Sequence, residues 1–447
     1  MNKYTKQFAC LLIAGFFITS AAAADAPKNI IIMIGDGSGF NHIAAASIYQ
    51  SGQPVSPPYT DFTLGIAMST FPAKGSYSPQ LAWASFGYVK QGYTDSAAAA
   101  TAMSTGIKTK NGYLGVDPNK APVKNITERC EQLGKSTGVV TTVPISHSTP
   151  AGFVAHNKSR NSYEQIAKQM LLESAVDCVM GACNPLYNSD GKLIAEPNDF
   201  NYVGGQSTWD LIVAGTAGAD ADADADGTPD PWTLVQTRDE FIALADGNTP
   251  KRVLGLAQIS PTLQQGRSGN VLAEPYGVPL IDSVPTLAEM SKAALNILDD
   301  DPDGFFLMIE GGAVDWASHK NQPGRMLEEQ IDFNKAVEAV MNWVNAKSSW
   351  SDTLLIVTAD HECGYLTGPN SGDTPDGPKW NEITNLGQGK MPGLEFNSHD
   401  HTNSLVPFYS KGQGVVLFKN AESNLDPIRG PYIDNTIIAK TIFALLD

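Results

Sequence analysis

The sequence of 447 residues has 47 acidic residues against 30 lysines and arginines, a formal net charge of −17. This acidic balance argues against nucleic-acid binding, which requires a basic surface, and favours solubility and the binding of cations. An anionic substrate then needs bound metal or a well-placed arginine to attract it. The length fits one large domain or two of ordinary size.

The N-terminal segment has the pattern of a secretory signal. Lys3 and Lys6 precede an apolar stretch from Phe8 to Ile18, and alanines at 22–24 supply a cleavage signature of small residues. The stretch is short for a bilayer span, and no later segment is long and apolar enough to form one. We therefore predict a signal peptide at residues 1–24, a periplasmic or secreted protein, and a single domain at residues 25–447.

Continuous apolar runs bounded by turn residues predict four buried strands. They are Asn29 to Ile34, Gly138 to Val143, Phe305 to Ile309 and Thr353 to Thr358. Apolar stripes at helical spacing alternate with the strands. One stripe is Tyr163, Ile166, Ala167, Met170 and Leu171, and another is Ile331, Val337, Val340, Met341 and Val344. The alternation predicts an α/β fold with a mainly parallel central sheet flanked by helices on both faces.

Two regions rich in Gly, Asp and Pro, at about 184–279 and 365–398, predict loop-rich insertions. The first contains acidic residues at alternate positions, as at the start of a calcium loop. These residues are Asp222, Asp224, Asp226 and Asp230. The twelfth position counted from Asp222 is Thr233, where an EF-hand has a bidentate glutamate. Two interpretations stay open, a Ca²⁺ site and a solvated acidic loop.

Four cysteines follow the predicted signal peptide. Cys178 and Cys183 have four residues between them, and export favours a small disulfide loop. A zinc knuckle is the weaker alternative, because neither a second Cys pair nor a histidine lies nearby in sequence. For Cys130 and Cys363, pairing and free thiols both stay open.

Acidic and histidine residues recur where apolar runs end. The motifs are Gly35-Asp36-Gly37, Asp95-Ser96, His147-Ser148-Thr149, Glu310 through Asp315 to His319, and Asp360-His361, with His401-Thr402 after a loop. The carboxyl ends of parallel strands share one edge of a sheet, where ligands bind, so we expect these residues to converge. Carboxylates and imidazoles together with one serine indicate metal-assisted chemistry on an anionic substrate.

Ser96 is predicted to lie at a helix N-terminus, because the sequence from Ala97 to Met103 is strongly helix-forming and ends near Gly106. Free backbone N–H groups at that position stabilise an anion. The alternative is that Ser96 or Asp95 only caps the helix.

Asp315 and His319 are one helical turn apart, so both can bind one metal from the same face of a helix. Glu310 ends the preceding apolar run, and Asp360-His361 offers a hard oxygen and an imidazole at another strand end. One acid-histidine pair alone is weak evidence, but several at strand ends point to one site.

Several of these segments resemble the signature motifs of alkaline phosphatases. They are Met33-Ile-Gly-Asp36-Gly, Thr94-Asp-Ser96-Ala-Ala, Met308-Ile-Glu310-Gly-Gly, Thr358-Ala-Asp360-His361, and His147-Ser-Thr149-Pro-Ala followed by Ala155-His156 and Arg160. The motifs occur in family order, and the resemblance runs from about Lys28 to the C-terminus, with the insertions least alike. It implies an alkaline-phosphatase-like fold and metal-dependent hydrolysis of phosphate monoesters through a phosphoserine.

The resemblance also implies two Zn²⁺ and one Mg²⁺. The ligand sets are Asp315, His319 and His401 for the first Zn²⁺, Asp36, Asp360 and His361 for the second Zn²⁺, and Asp36, Thr149 and Glu310 for Mg²⁺. His399 competes with His401, and the following Thr402 favours His401. Ser96 would be the nucleophile, Arg160 would grip the phosphate, and Asp95 would lie beside them.

At positions 147 and 316 this sequence has His147 and Trp316, where the best-known enteric enzyme has other residues. Both residues resemble those of cold-adapted marine bacterial members of the family. They bear on magnesium affinity and on the release of phosphate.

The expected partners are small-molecule phosphate monoesters and, from the resemblance, a second copy of the chain. Alternative functions are a phosphodiesterase or sulfatase-like relative sharing the metal core, and a secreted calcium-binding structural protein. Arg160 favours a monoester, whose phosphate carries the extra charge.

Overall fold

The computed structural model describes residues 26–218 and 227–447. The predicted signal peptide and Asp222, Asp224 and Asp226 of the predicted calcium loop lie outside these residues. In the described ranges the strands are Asn29–Gly35 (β1), Leu64–Ser69 (β2), Ser136–Pro144 (β3), Cys178–Ala182 (β4), Thr233–Val235 (β5), Val253–Leu256 (β6), Phe305–Gly311 (β7), Thr353–Thr358 (β8), Glu362–Cys363 (β9), Leu366–Thr367 (β10), Gly372–Thr374 (β11), Gly377–Lys379 (β12), Glu395–Phe396 (β13), His401–Thr402 (β14), Val406–Gly412 (β15), Asn424–Asp426 (β16) and Gly430–Asp434 (β17).

The α-helices alternate with these strands. They are Phe40–Ser51 (α1), Pro79–Ala84 (α2), Ser96–Thr105 (α3), Ile126–Glu131 (α4), Ser148–Ala151 (α5), Tyr163–Lys168 (α6), Gly205–Val213 (α7), Arg238–Ala243 (α8), Leu287–Leu298 (α9), Ala313–His319 (α10), Pro323–Lys347 (α11), Val415–Asn420 (α12) and Thr436–Leu446 (α13). Short 3₁₀ turns lie at Tyr59–Asp61, Tyr88–Lys90 and Phe200–Val203, and a π turn at Gln169–Glu173 extends α6.

Eleven of the described strands form one central sheet, in the order β16-β17-β2-β15-β8-β1-β7-β3-β4-β6-β5. All its pairings are parallel except those of β15 with β2 and β8 and that of β16 with β17. The predicted mainly parallel sheet is therefore confirmed. Its centre consists of the consecutive neighbours β8, β1, β7 and β3.

The central strands are apolar along their length because helices cover both faces of the sheet. Ile30, Ile32 and Ile34 of β1 pack into a core cluster that includes α3 and α13. Ile31 and Met33 point to the other face and pack into a cluster that includes α9 and α11. A parallel sheet covered on both faces requires this two-sided burial.

All four predicted buried strands are present, as β1, β3, β7 and β8. The two predicted helical stripes form α6 with its π turn, and α11. α11 is 25 residues long, and no described helix is both long and apolar enough to cross a membrane.

Two motifs reach the site without following a strand of the central sheet. Asp95-Ser96 does not follow a strand, because the preceding element is the turn at Tyr88–Lys90. His401-Thr402 follows a loop as expected, and the two residues form the short strand β14, which pairs with β9. Both motifs still reach the same edge of the sheet, Ser96 through the N-terminus of α3 and His401 through its pairing beside His361.

The two predicted insertions differ in structure. The region at 184–279 supplies β5 and β6, which extend the central sheet beyond β4. This part therefore enlarges the sheet as well as decorating it. The region at 365–398 contains β10 to β13, which form separate two-stranded sheets. The boundaries of the single domain and its insertions stay predictions.

The predicted disulfide between Cys178 and Cys183 is wrong. Both thiols are free and buried, and so are Cys130 and Cys363. Cys178 begins β4 and Cys183 directly follows it. A strand rises about 3.3 Å per residue, so five residues separate the two Cα atoms by roughly 16 Å. A disulfide requires a Cα separation below about 7 Å.

Candidate metal centre and active site

The ends of the four central parallel strands bring the predicted residues together. Asp36 directly follows β1, Glu310 lies near the end of β7, and Asp360 follows β8. Thr149 follows β3 in the short helix α5. All four side chains are fully buried. Residues that are remote in sequence therefore meet at one edge of the sheet, as expected for an α/β fold.

A first group of side chains comprises Asp315 and His319 from α10 and His401 from β14. Nε2 of His319 lies 3.4 Å from Oδ2 of Asp315, and Nε2 of His401 lies 3.3 Å from Oδ1 of Asp315. The two Nε2 atoms are 3.0 Å apart. Cys363 lies against the same group, with its Sγ within 4.8 Å of these donor atoms.

Backbone carbonyls fix the orientation of both imidazoles. Nδ1 of His319 donates to the carbonyl of His399 at 2.5 Å, and Nδ1 of His401 donates to the carbonyl of Thr94 at 2.9 Å. Each Nε2 therefore faces Asp315, the arrangement of metal-binding histidines whose other nitrogen is held by an acceptor. In the absence of a metal, the negative charge of Asp315 favours a proton on the neighbouring imidazole. Although burial opposes it, the Asp315 carboxylate raises the pKa of His401 to about 9.

A second group surrounds His361. Its Nε2 lies 3.1 Å from Oδ2 of Asp360, 3.5 Å from Oδ1 of Asp36 and 3.2 Å from the hydroxyl of Ser96. The other oxygen of Asp360 accepts hydrogen bonds from the backbone N–H groups of Gly37 and His361, at 3.1 and 2.9 Å. The backbone thus holds Oδ1 of Asp360, and Oδ2 faces the cluster.

A third group consists of Asp36, Thr149 and Glu310. In the described residues, neither oxygen of Asp36 has a hydrogen-bond partner, and the same holds for Oε1 of Glu310 and the hydroxyl of Thr149. Buried polar atoms without partners are costly, and buried carboxylates even more so. These atoms are hard oxygen donors, so the group fits a divalent cation such as Mg²⁺.

The electrostatics of the buried carboxylates also fit metal binding. Burial raises the pKa of Asp36 well above its ordinary value, and the charges of Asp360, Asp315 and Glu310 raise it further. Burial likewise raises the pKa of Asp360 to about 6 and that of Glu310 to about 7. Cations bound between these groups would offset the mutual repulsion. The site therefore has the donors of a metal cluster.

Ser96 begins α3 but does not cap it. The cap is Asp95, whose Oδ1 accepts from the N–H of Ala98 at 2.9 Å. Its Oδ2 accepts from the N–H of Gly112 at 2.8 Å and from Nη1 of Arg160 at 3.0 Å. The two interpretations that the sequence left open, helix capping and a position in the site, thus apply to different residues. Asp95 holds the helix and the arginine, and the hydroxyl of Ser96 contacts His361.

Arg160, His147 and Trp316 line the same open cavity as Ser96, whose volume is about 440 Å³. Nη2 of Arg160 lies 3.5 Å from Nε2 of His147. Burial and the charge of Arg160 lower the pKa of His147 to about 3, so the imidazole is neutral. The Trp316 ring packs edge-on against it, with 5.7 Å between ring centroids.

Sequence reasoning missed several residues around the site. Thr141 donates a hydrogen bond to Glu310, but only the pairing of β3 with β7 makes them neighbours. Asn111 bridges the loop before Ser96, because it accepts from the N–H of Asp95 and donates to a nearby carbonyl. Lys320 lines the cavity, and its position directly after a predicted ligand could have drawn notice.

The calcium prediction stays a prediction. Among its four aspartates only Asp230 lies in the described part of the chain. The backbone carbonyls of Gly218 and Asp230, on either side of the acidic segment, accept from Nη1 of the buried Arg252 at 3.4 and 3.5 Å.

A family model for alkaline phosphatase matches residues 27–427. The chain belongs to the alkaline phosphatase family. Alkaline phosphatase 4 of Bacillus subtilis is 30% identical over 355 residues, covering 77% of this chain and 64% of that relative. Alkaline phosphatase of Escherichia coli is 30% identical over 410 residues, covering 86% and 81%. The match thus spans slightly less than two thirds of the Bacillus relative.

The fold is that of solved alkaline phosphatases. The structure of alkaline phosphatase from the Antarctic bacterium TAB5 has a TM-score of 0.62 and 24% sequence identity to this chain. The match covers 95% of this chain and 98% of that one. The expected alkaline-phosphatase-like fold is therefore confirmed.

Proposed function

We propose that this protein hydrolyses phosphate monoesters in a metal-dependent reaction through a phosphoserine at Ser96. The observation that carries the proposal is the position of the Ser96 hydroxyl. It lies at the N-terminus of α3, 3.2 Å from Nε2 of His361, in one cavity with Arg160 and next to the clustered donor atoms. Helix N-termini favour anions, so this position suits both an alkoxide and a phosphate.

The donor sets suit two Zn²⁺ and one Mg²⁺. Imidazole with carboxylate is a usual zinc environment, whereas carboxylates with a hydroxyl suit magnesium. The assignment is Asp315, His319 and His401 for the first Zn²⁺, Asp36, Asp360 and His361 for the second Zn²⁺, and Asp36, Thr149 and Glu310 for Mg²⁺. When bound, such ions neutralise substrate charge and lower the pKa of a coordinated hydroxyl. Mg is also bound in the structure of a TAB5 alkaline phosphatase variant of the same fold.

Ser96, Arg160 and Asp95 have separate functions in the proposed reaction. The Oγ of Ser96 loses its proton and forms a bond to phosphorus as the bond to the ester oxygen breaks, and the leaving oxygen gains a proton to become the alcohol. The oxygen of a water molecule then bonds to phosphorus as the bond between Oγ and phosphorus breaks, a proton returns to Oγ, and phosphate is released. Arg160 offers a planar fork to two non-bridging oxygens, and Asp95 holds that fork in place through a 3.0 Å ion pair. The transition state is loose, so positioning and charge stabilisation supply most of the catalysis.

The first test is hydrolysis of nitrophenyl phosphate at about pH 9, beside the corresponding diester. We expect turnover of the monoester that disappears after chelation and returns with Zn²⁺ plus Mg²⁺. Preference for the diester would assign the same metal core to a phosphodiesterase. A protein with verified metal content and no activity on either ester would contradict the proposal.

Arg160 is expected to act mainly in recognition. Replacing Arg160 with alanine should raise KM and the inhibition constant of inorganic phosphate by roughly 10- to 100-fold, because two charge-assisted hydrogen bonds are lost. Arg160→Lys keeps the charge but not the fork, so it should recover only part of the affinity. Steady-state kinetics with phosphate as a competitive inhibitor measure both effects. An inhibition constant unchanged in Arg160→Ala would remove Arg160 from the phosphate site.

Export and assembly complete the proposal. The signal-like sequence at residues 1–24 supports a periplasmic or secreted enzyme, and N-terminal sequencing of exported protein should begin at residue 25. We also propose a homodimer, as expected from the family, which light scattering can test. The calcium proposal for the acidic segment around Asp230 is separate from assembly and catalysis, and calcium titration tests it.

A further inference from the structure

Glu310 is held on one side by a hydroxyl that the metal assignment does not include. Thr141 of β3 is the direct neighbour of Glu310 in the parallel pairing of β3 with β7. Its hydroxyl donates a hydrogen bond to Oε2 of Glu310. Both side chains are fully buried, so water does not compete for this contact.

The backbone orients the Thr141 hydroxyl. Its oxygen accepts a hydrogen bond from the N–H of Val143 at 3.2 Å. Val143 lies in the stretch between Val140 and Pro144 where the pairing of β3 with β4 shifts register. A hydroxyl has a single proton. With its oxygen engaged as an acceptor by Val143, that proton is directed at Glu310.

The contact makes the two oxygens of Glu310 unequal. Oε2 is engaged by Thr141, whereas Oε1 has no hydrogen-bond partner in the described residues. The hydroxyl of Thr149 and both oxygens of Asp36 are unpartnered in the same way. The unengaged atoms are therefore those of the proposed magnesium set, and the engaged oxygen faces the neighbouring strand.

We propose that Thr141 is a positioning residue for the Mg²⁺ site. Its hydrogen bond to Oε2 leaves Oε1 of Glu310 as the ligand atom and orders the carboxylate before the cation binds. The inference rests on the proposed function for its assignment of Mg²⁺ to this group. Hydrogen bonds to a ligating carboxylate commonly change metal affinity by about 10- to 100-fold. Thr141 should act on Mg²⁺ affinity in the same way.

The local packing makes the substitutions informative. A Cβ placed on Gly181 would lie 2.9 Å from Cγ2 of Thr141, so the methyl group of Thr141 is tightly packed. Thr141→Val retains the shape and removes the hydroxyl. Thr141→Ser retains the hydroxyl and removes the methyl group. The pair separates the hydrogen bond from the packing.

The test is calorimetric titration of Mg²⁺ into the zinc-loaded proteins. We expect Thr141→Val to raise the Kd for Mg²⁺ by about 10- to 100-fold, and Thr141→Ser to stay within about threefold of wild type. Mg²⁺ should also raise the Tm of Thr141→Val only at correspondingly higher concentrations. Saturating Mg²⁺ should then restore hydrolysis, because the defect lies in metal affinity.

Four outcomes would overturn the proposal. A Kd in Thr141→Val equal to that of wild type would show that the hydrogen bond does not position the ligand. Equal losses in Thr141→Val and Thr141→Ser would assign the effect to packing. If Thr141→Val also weakened residual Mg²⁺ binding in a Glu310→Gln background, Thr141 would not act through Glu310. A zinc-loaded wild type that hydrolyses monoesters but binds no Mg²⁺ would remove the magnesium assignment and this inference with it, while leaving the hydrolysis intact.

Discussion

Replacing Ser96 with alanine is expected to lower kcat by about 10³-fold or more while leaving the bound metals and the stability nearly unchanged. The loss is large because the hydroxyl oxygen is the atom proposed to form the bond to phosphorus. Stability is preserved because Asp95, not Ser96, caps α3 through the N–H of Ala98. The hydroxyl of Ser96 points into the site instead, 3.2 Å from Nε2 of His361.

Ser104 provides a matched control on the same helix. Its hydroxyl is buried and donates to the carbonyl of Gly152 at 2.6 Å, away from the cavity. Ser104→Ala should therefore lower Tm while leaving kcat close to that of wild type, the reverse of Ser96→Ala. The measurements are steady-state turnover, metal content and thermal unfolding of both variants. Turnover of Ser96→Ala within about tenfold of wild type, with metals bound, would exclude Ser96 as the nucleophile.

Much of the site could be predicted because its residues follow strands that the sequence marks clearly. The continuous apolar runs of β1, β7 and β8 indicate buried parallel strands, and the residues that follow such strands meet at one edge of the sheet. Asp36, Glu310 and Asp360 are placed by this rule alone. His401 is different, since it reaches the site through a two-residue strand that no periodicity reveals. Its assignment as a zinc ligand depended on the family resemblance.

The errors have a common physical origin. Cys178 and Cys183 resemble a disulfide loop only if the intervening residues turn, yet Val-Met-Gly-Ala continues a buried strand. The run is too short for its length to distinguish strand from loop. Thr141 was missed for a related reason, because its contact with Glu310 depends on the register between two strands 169 residues apart. Local sequence contains no information about that register.

Removing the metals is the second change with a large expected effect, and its size should depend on pH. Chelation should abolish hydrolysis and lower Tm by roughly 10 °C or more at pH 8, because several ions that bind only the folded state each add stability. The carboxylates explain the pH dependence. In the protein without metal, burial raises the pKa of Asp360 to about 6 and that of Glu310 to about 7, from ordinary values near 4.

An acid whose pKa is higher in the folded than in the unfolded state binds its proton more tightly when folded. Between about pH 4 and pH 7 the unfolded chain loses these protons while the folded chain keeps them, so the stability of the metal-free protein falls as pH rises. Above about pH 7 the carboxylates of Asp360 and Glu310 are charged and repel each other, unless cations separate them. The loss of Tm on chelation should therefore be small at pH 5 and large at pH 8. Thermal unfolding with and without chelator across this range measures it.

Glu329 offers the control that isolates the metal site from other buried acids. It lies on α11 outside the cavity, and burial with the charges of Asp332 and Glu328 raises its pKa to about 8. Glu329→Gln should raise stability at alkaline pH by the same amount with and without metal, because no cation is proposed to reach it. Glu310→Gln should instead shrink the difference between the two forms at pH 8. An equal loss of Tm on chelation at pH 5 and pH 8 in wild type would contradict the view that the metals stabilise the fold by separating these carboxylates.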